Sequence, residues 1–201
     1  MKQRIGILGG SFNPIHNGHL HLAEVAKEKL NLNHIIFVPA KISPFKQNAE
    51  NVVDGVHRLE MCRLAVESNP DFSVSDFELN QNSVSYTLYT VEHFKEFFPD
   101  SELVLLIGSD MFLKFDKWYK WKEIFKIVSL GVVARDIQDI QRLNEKHMTL
   151  SQYGKIDVFC DDVILLSSTK VRDLIKKNKD FSCYLPKKVV QYILFHKLYE
   201  I

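Results

Sequence analysis

Two stretches of this chain carry residues whose types and spacing suit the handling of an anion. From Gly9 to Leu20 the sequence runs GGSFNPIHNGHL, directly after a short apolar run. Gly9 and Gly10 are expected to let the backbone turn sharply and approach a ligand with no Cβ in the way. His16 and His19 stand three positions apart at the mouth of a predicted helix, with Gly18 between them to keep the packing close. Imidazoles beside the N–H groups of a helix N-terminus form an anion site. A lone histidine is more often a surface residue, but a strand, two glycines, HxGH and a helix in succession are not explained by packing. A metal would need a third ligand, and none lies nearby in sequence. The second stretch is LLSSTKVRDLI, from Leu165 to Ile175. Here Ser168 or Thr169 can cap a helix, and Arg172 is expected on its first turn, facing the same end. No Ser–His–Asp or Cys–His set accompanies these residues, so a covalent enzyme intermediate is not indicated.

Residues of this kind need elements to hold them. Arg4–Leu8, His34–Val38, Leu103–Ile107 and Ile127–Ala134 read as buried strands, with a further strand in Phe72–Leu79 and short ones at Ile156–Phe159 and Val163–Leu165. Helical spacing predicts helices over Gly18–Leu30, from an Asp54 cap to Ser68, over Ser85–Phe98, Ile137–His147, Ser168–Lys177 and Pro186–Lys197. Ala40–Asn51 reads as an exposed loop. Continuous apolar strands alternating with helices indicate an α/β fold, an open parallel sheet covered on both faces. In such sheets ligands bind outside the carboxyl ends of the strands. The segments just after the strands are Gly9–His19, Pro39–Lys46, Gly108–Asp110, Arg135 and Ser167–Arg172. They are rich in glycines, histidines, hydroxyls and cations, which suits a phosphate-bearing ligand.

Composition narrows the classes. With 26 Lys+Arg against 25 Asp+Glu the net charge is +1, which argues against a large basic face for nucleic acid. A chain of 201 residues, 46% hydrophobic and 25% charged, is neither disordered nor fibrous and can bury a core as one domain. Cys62, Cys160 and Cys183 are odd in number and far apart, so they are expected to be buried thiols in a reducing compartment. The opening apolar stretch is too short for a signal peptide, and Leu103–Ile107 is far short of a membrane span. The expectation is a soluble cytoplasmic protein without membrane contact.

The GGSFNPIHNGH segment resembles the GGSFDPxHxGH signature of the nucleotidyltransferase superfamily, with Asn13 in place of Asp. Its HxGH is similar to the HIGH element of class I aminoacyl-tRNA synthetases. The Ser167–Arg172 segment resembles the superfamily's (S)STxxR element and is unlike the KMSKS-type loop of a synthetase. The middle of the chain resembles bacterial nicotinate-nucleotide adenylyltransferases. FVPAKISPFK (Phe37–Lys46) is similar to that family's FVPxxxPPHK, with Ser43 and Phe45 departing from Pro and His. HRLEMCRLAV, SYTLYTV (Ser85–Val91), IGSDMFLKFDKWYKWKEI (Ile107–Ile124), VVARD (Val132–Asp136) and YLPKKVVQYILFHKLY (Tyr184–Tyr199) continue the likeness over nearly the whole chain.

This resemblance implies a Rossmann-like HxGH nucleotidyltransferase fold with a short C-terminal helical tail. It further implies a single domain over 1–201, in which 167–201 forms the helical subregion carrying SSTxxR. The implied reaction joins nicotinate mononucleotide to the AMP part of ATP, giving deamido-NAD and pyrophosphate. By the same likeness His16, His19, Lys46 and Arg172 are the catalytic set, and Gly9, Gly10, Ser11, Phe12, Gly18, Gly108, Asp110, Ser168 and Thr169 join them around ATP. Thr87, Trp118, Tyr119 and Arg135 would hold the acceptor nucleotide, with Trp118 stacking on the pyridine ring and the Tyr119 N–H facing the carboxylate. Magnesium is expected to travel with ATP, with few or no dedicated protein ligands. Phosphopantetheine adenylyltransferase, use of nicotinamide mononucleotide, and a catalytically silent nucleotide-binding regulator are the rival readings. A homo-oligomer is compatible with the sequence.

Overall fold

The computed structural model describes residues 2–41, 52–81, 84–134, 140–160 and 166–200. Among these, six strands pair in parallel in the order β3-β2-β1-β4-β5-β6: β1 (Arg4–Gly10), β2 (His34–Pro39), β3 (Phe72–Val74), β4 (Glu102–Gly108), β5 (Val128–Ala134) and β6 (Ile156–Cys160). Helices α1 (Asn17–Lys29), α2 (Gly55–Val66), α8 (Ser168–Lys176) and α9 (Lys187–Phe195) are separated in packing from α4 (Thr87–Phe97), α5 (Ser109–Phe112), α6 (Trp121–Phe125) and α7 (Ile140–Leu150). The first set closes on Ile35, Phe37, Val104, Leu106 and Val133. The second set closes on Ile36, Val38, Leu103, Leu105, Val132 and Ala134. Successive strand residues point to opposite faces, so runs such as Ile35–Val38 and Leu103–Ile107 must be apolar throughout to fill two cores. The Rossmann-like α/β architecture read from the sequence is therefore present.

Some elements differ from expectation. Only Phe72–Val74 of the stretch to Leu79 is strand. The Ser75 hydroxyl accepts the Phe77 N–H at 3.2 Å and turns the chain into the short α3 (Phe77–Asn80). Between β4 and β5 the chain forms α5, a 3₁₀ turn at Phe115–Lys117 and α6, short pieces with too few residues for a helical period to show. Cys62 is buried, and burial pushes its thiol well above the usual range, whereas Cys183 is exposed, contrary to the expectation of buried thiols. Among the described residues no helix is long and apolar enough to cross a membrane. The expected strand Val163–Leu165 lies outside the described residues.

Candidate active site

The strand order reverses at β1, which has β2 on one side and β4 on the other. Loops leaving β1 and β4 therefore part to opposite faces and open a crevice at their carboxyl ends. Gly9–Phe12 and Gly108–Asp110 lie there, one strand spacing apart, as the Leu8–Leu106 pairing fixes. Both Gly9 and Gly10 are still part of β1, and neither has a positive φ. The sharp turn expected of them falls instead on Phe12, at φ 43°. The role of the glycines is space: a Cβ at Gly9 would meet nothing within 4 Å, while one at Gly10 would touch the Phe12 ring at 3.0 Å. Ser11, half-buried, joins that turn.

His16 is the N-cap of α1 and is buried, and Gly18 is buried in the first turn behind it. The His16 N–H donates to His19 Nδ1 at 3.2 Å, and the His19 N–H donates to the His16 carbonyl at 2.8 Å. Their rings stack with centroids 3.6 Å apart, and Phe12 meets the His19 ring edge-on at 5.0 Å. An imidazole that accepts at Nδ1 carries its proton on Nε2, so neutral His19 is a donor on the ring's other side.

Helix α8 brings the second motif onto this loop. Ser167, and neither Ser168 nor Thr169, is the cap, its hydroxyl accepting the Lys170 N–H at 3.2 Å. Ser168 is freed to donate to the Pro14 carbonyl at 2.9 Å. Arg172 falls on the second turn instead of the first, where Nη1 donates to the Asn13 carbonyl at 2.8 Å and Nη2 to Thr169 Oγ1 at 3.2 Å. Two motifs separated by some 150 residues are thus in direct hydrogen-bonded contact.

The sequence reading missed Arg58. Its guanidinium is 2% exposed and donates to three carbonyls: Val53 at 3.1 Å, Ser11 at 2.8 Å and Ala40 at 2.6 Å. Burial draws its pKa down from the ordinary value, yet an arginine stays charged. One cation thereby ties the β1 loop, the end of β2 and the entry to α2. The available signal was position, since Arg58 shares the inward face of α2 with Met61 and Cys62. Arg58→Leu should leave those carbonyls without their donor and cost on the order of 3 kcal/mol in urea unfolding. A loss below about 1 kcal/mol would contradict this role.

On the other face, Thr87 opens α4 and Tyr86 before it meets Tyr119 with ring centroids 4.7 Å apart. Trp118 is half-buried and leans on Phe115 at 5.1 Å, and Tyr119 is 40% exposed. The hydrogen bond between the Tyr119 and Tyr89 hydroxyls lowers the pKa of the first and raises that of the second. Asp110 is exposed in the first turn of α5, capped by Gly108 instead of being a cap itself. The structure therefore brings Thr87, Trp118 and Tyr119 to one neighbourhood. Lys46 and Arg135 lie outside the described residues.

The segment before Thr87 is anchored by a buried carboxyl. Glu78, 6% exposed, accepts from Thr90 Oγ1 at 2.6 Å and bonds the Ser85 hydroxyl, which accepts the Lys41 N–H at 3.0 Å. Burial holds the Glu78 carboxyl above its usual range, and the two hydroxyls pull it partly back. The folded chain therefore binds this proton more tightly than the unfolded chain. That stabilisation is full below the unfolded value of 4.5 and is lost as pH rises through the raised one. Glu78→Gln should flatten the profile of urea midpoint against pH from 4.5 upward, and an unchanged slope would show that Glu78 does not carry it.

Among the described residues no group of three or more His, Cys, Asp or Glu side chains could hold a metal ion. The donor set at the crevice is instead imidazole, guanidinium, hydroxyl and backbone N–H, which suits phosphate oxygens. A parallel sheet with a switch-point crevice, and an HxGH loop hydrogen-bonded to an STxxR helix, is the combination on which the resemblance to nucleotidyltransferases rests. The chain belongs to the cytidylyltransferase-like family, whose model matches residues 7–174. It is 38% identical, over 98% of its length and 100% of the relative's, to a "Probable nicotinate-nucleotide adenylyltransferase" of Clostridium beijerinckii. A protein of the same name from Clostridium botulinum (strain Okra) is 39% identical over 96% of this chain and 98% of its own. In fold the chain is similar to Plasmodium falciparum nicotinic acid mononucleotide adenylyltransferase complexed with APC. The TM-score is 0.78 at 18% identity, covering 98% of this chain and 97% of that one. The same protein complexed with NaAD gives 0.78 at 20% identity with the same coverage.

Proposed function

We infer that this chain is a nicotinate-nucleotide adenylyltransferase, joining nicotinate mononucleotide and ATP into deamido-NAD and pyrophosphate in NAD biosynthesis. The observation that carries the reading is the bonded pair of motifs, with Arg172 and Ser168 docked on the Asn13–Pro14 carbonyls beside the stacked His16 and His19. A phosphate oxygen of the acceptor attacks the α-phosphorus of ATP in line, and pyrophosphate leaves. Both partners are anionic, so the protein's work is to hold them together and to neutralise the charge growing on the leaving group.

In this reading His16 and His19 face the α-phosphate, and the Nε2–H of His19 donates to its oxygens. Arg172 holds the β/γ end, with Ser168 and Thr169 at the same helix end. Gly9, Gly10, Ser11, Phe12 and Gly18 line the ATP side, and Gly108 and Asp110 meet the ribose. Thr87, Trp118 and Tyr119 receive the acceptor, supported by the Tyr86–Tyr119 contact. Lys46 near the reacting phosphates and Arg135 at the acceptor are assigned from the family resemblance. Magnesium bound with ATP would supply further positive charge at the phosphates, beside the donors of His19 and Arg172. We also propose that 1–201 acts as one domain in the cytoplasm, supported by the packing of α9 into the apolar cluster of β1 and β2.

Pyrophosphate release with ATP and each acceptor in turn tests the reading. Release with nicotinate mononucleotide is expected. Release only with nicotinamide mononucleotide or phosphopantetheine would reassign the substrate, and silence with all of them would make the chain a nucleotide-binding regulator.

A further inference from the structure

Beyond α9 the chain returns to the phosphate loop. Tyr199 is 7% exposed and its hydroxyl donates to Asn13 Oδ1 at 2.9 Å, across 186 positions of sequence. Asn13 is 5% exposed, and the same Oδ1 accepts the Val53 N–H at 3.3 Å. The main-chain carbonyl of Asn13 in turn accepts Arg172 Nη1. One residue therefore takes the Tyr199 bond on its side chain and the Arg172 bond on its backbone. The Tyr199 ring is buried in the apolar cluster that holds Phe12, Ile15 and Val171, and that packing restrains it. Burial also pushes the pKa of its hydroxyl upward, which favours the protonated, donating form.

We propose that Tyr199 is a positioning residue for adenylyl transfer, fixing through Asn13 the carbonyl against which the Arg172 guanidinium is oriented. The proposal rests on the reading of Arg172 as the anchor for the β/γ end of ATP. A guanidinium held at Nη1 by Asn13 and at Nη2 by Thr169 has its remaining N–H groups aimed by those two bonds. If the Asn13 carbonyl tilts, the charge stays but the fork loses its direction. The loss should fall on ATP and not on the acceptor.

Steady-state kinetics of Tyr199→Phe, Arg172→Lys and the double variant test this. Tyr199→Phe should lower kcat/KM for ATP about 10-fold and leave the acceptor KM within about 2-fold. In the Arg172→Lys background the same change should cost less than about 2-fold, because lysine has no fork to aim. A full second loss in the double variant, or equal losses for both substrates, would reduce Tyr199 to a structural role and overturn the proposal. If Arg172→Lys by itself leaves ATP kinetics unchanged, the anchor reading falls and the proposal with it. An ATP effect of Arg172→Lys without one of Tyr199→Phe overturns the positioning role alone. Asn13→Ala reaches the same link from its other side, should Tyr199→Phe fold poorly, and must show the same ATP-selective loss or overturn it.

Discussion

Arg172→Ala should lower kcat/KM for ATP by roughly 100–1,000-fold, the loss typical of removing one preorganised donor from a developing anion. The side chain lies half-buried at the loop, bonded to Asn13 and Thr169 and to no carboxylate in either of those contacts. Its charge is therefore available to a phosphate. The fold should survive, because Ser168 still fastens α8 to the Pro14 carbonyl and Val171 and Ile175 remain in the core. Urea unfolding run beside the pyrophosphate assay separates the two quantities. A near wild-type rate at saturating substrates would remove Arg172 from the mechanism.

His19→Ala should have a comparable effect, about 100–1,000-fold in kcat. By the geometry, alanine removes more than the Nε2–H donor. The His16 N–H loses its acceptor at His19 Nδ1, and the His16 ring loses the partner stacked on it. The cap contribution is on the order of 1 kcal/mol, a small stability change beside a large rate change. Measuring turnover and thermal unfolding together tests that split. A variant that kept its rate but unfolded much more easily would make His19 a capping residue only.

Much of this arrangement was legible from the chain. Runs such as Leu103–Ile107 announced strands buried on both faces, and GGSFNPIHNGH followed by helical spacing announced the loop and α1. The docking of Arg172 on Asn13 was not legible, because hydrogen bonds between a carbonyl and a distant side chain leave no period in the sequence. Arg58 escaped for a related reason: its partners are main-chain carbonyls, which every residue type presents. Asn13 stands where the superfamily signature has Asp, and the structure shows why the amide serves. Its side-chain oxygen accepts from Tyr199 and Val53, and an amide oxygen accepts as a carboxylate does. The position of the turn was misread because φ at Phe12, and not a glycine, carries it.

On the proposed assignment of the site, the two apolar clusters on either side of the sheet would divide the reaction between them. Phe12, Ile15, Val171 and Tyr199, which support the HxGH and STxxR residues, belong to one; Leu88, Phe112 and Phe115, which support Thr87 and Trp118, belong to the other. Among the described residues, only the strands are common to both. Sequence change that reshapes the acceptor pocket can therefore accumulate in one layer while the layer that grips triphosphate keeps its packing. Such a scaffold lets the partner of the adenylyl group be exchanged over evolutionary time without rebuilding the chemistry that transfers it.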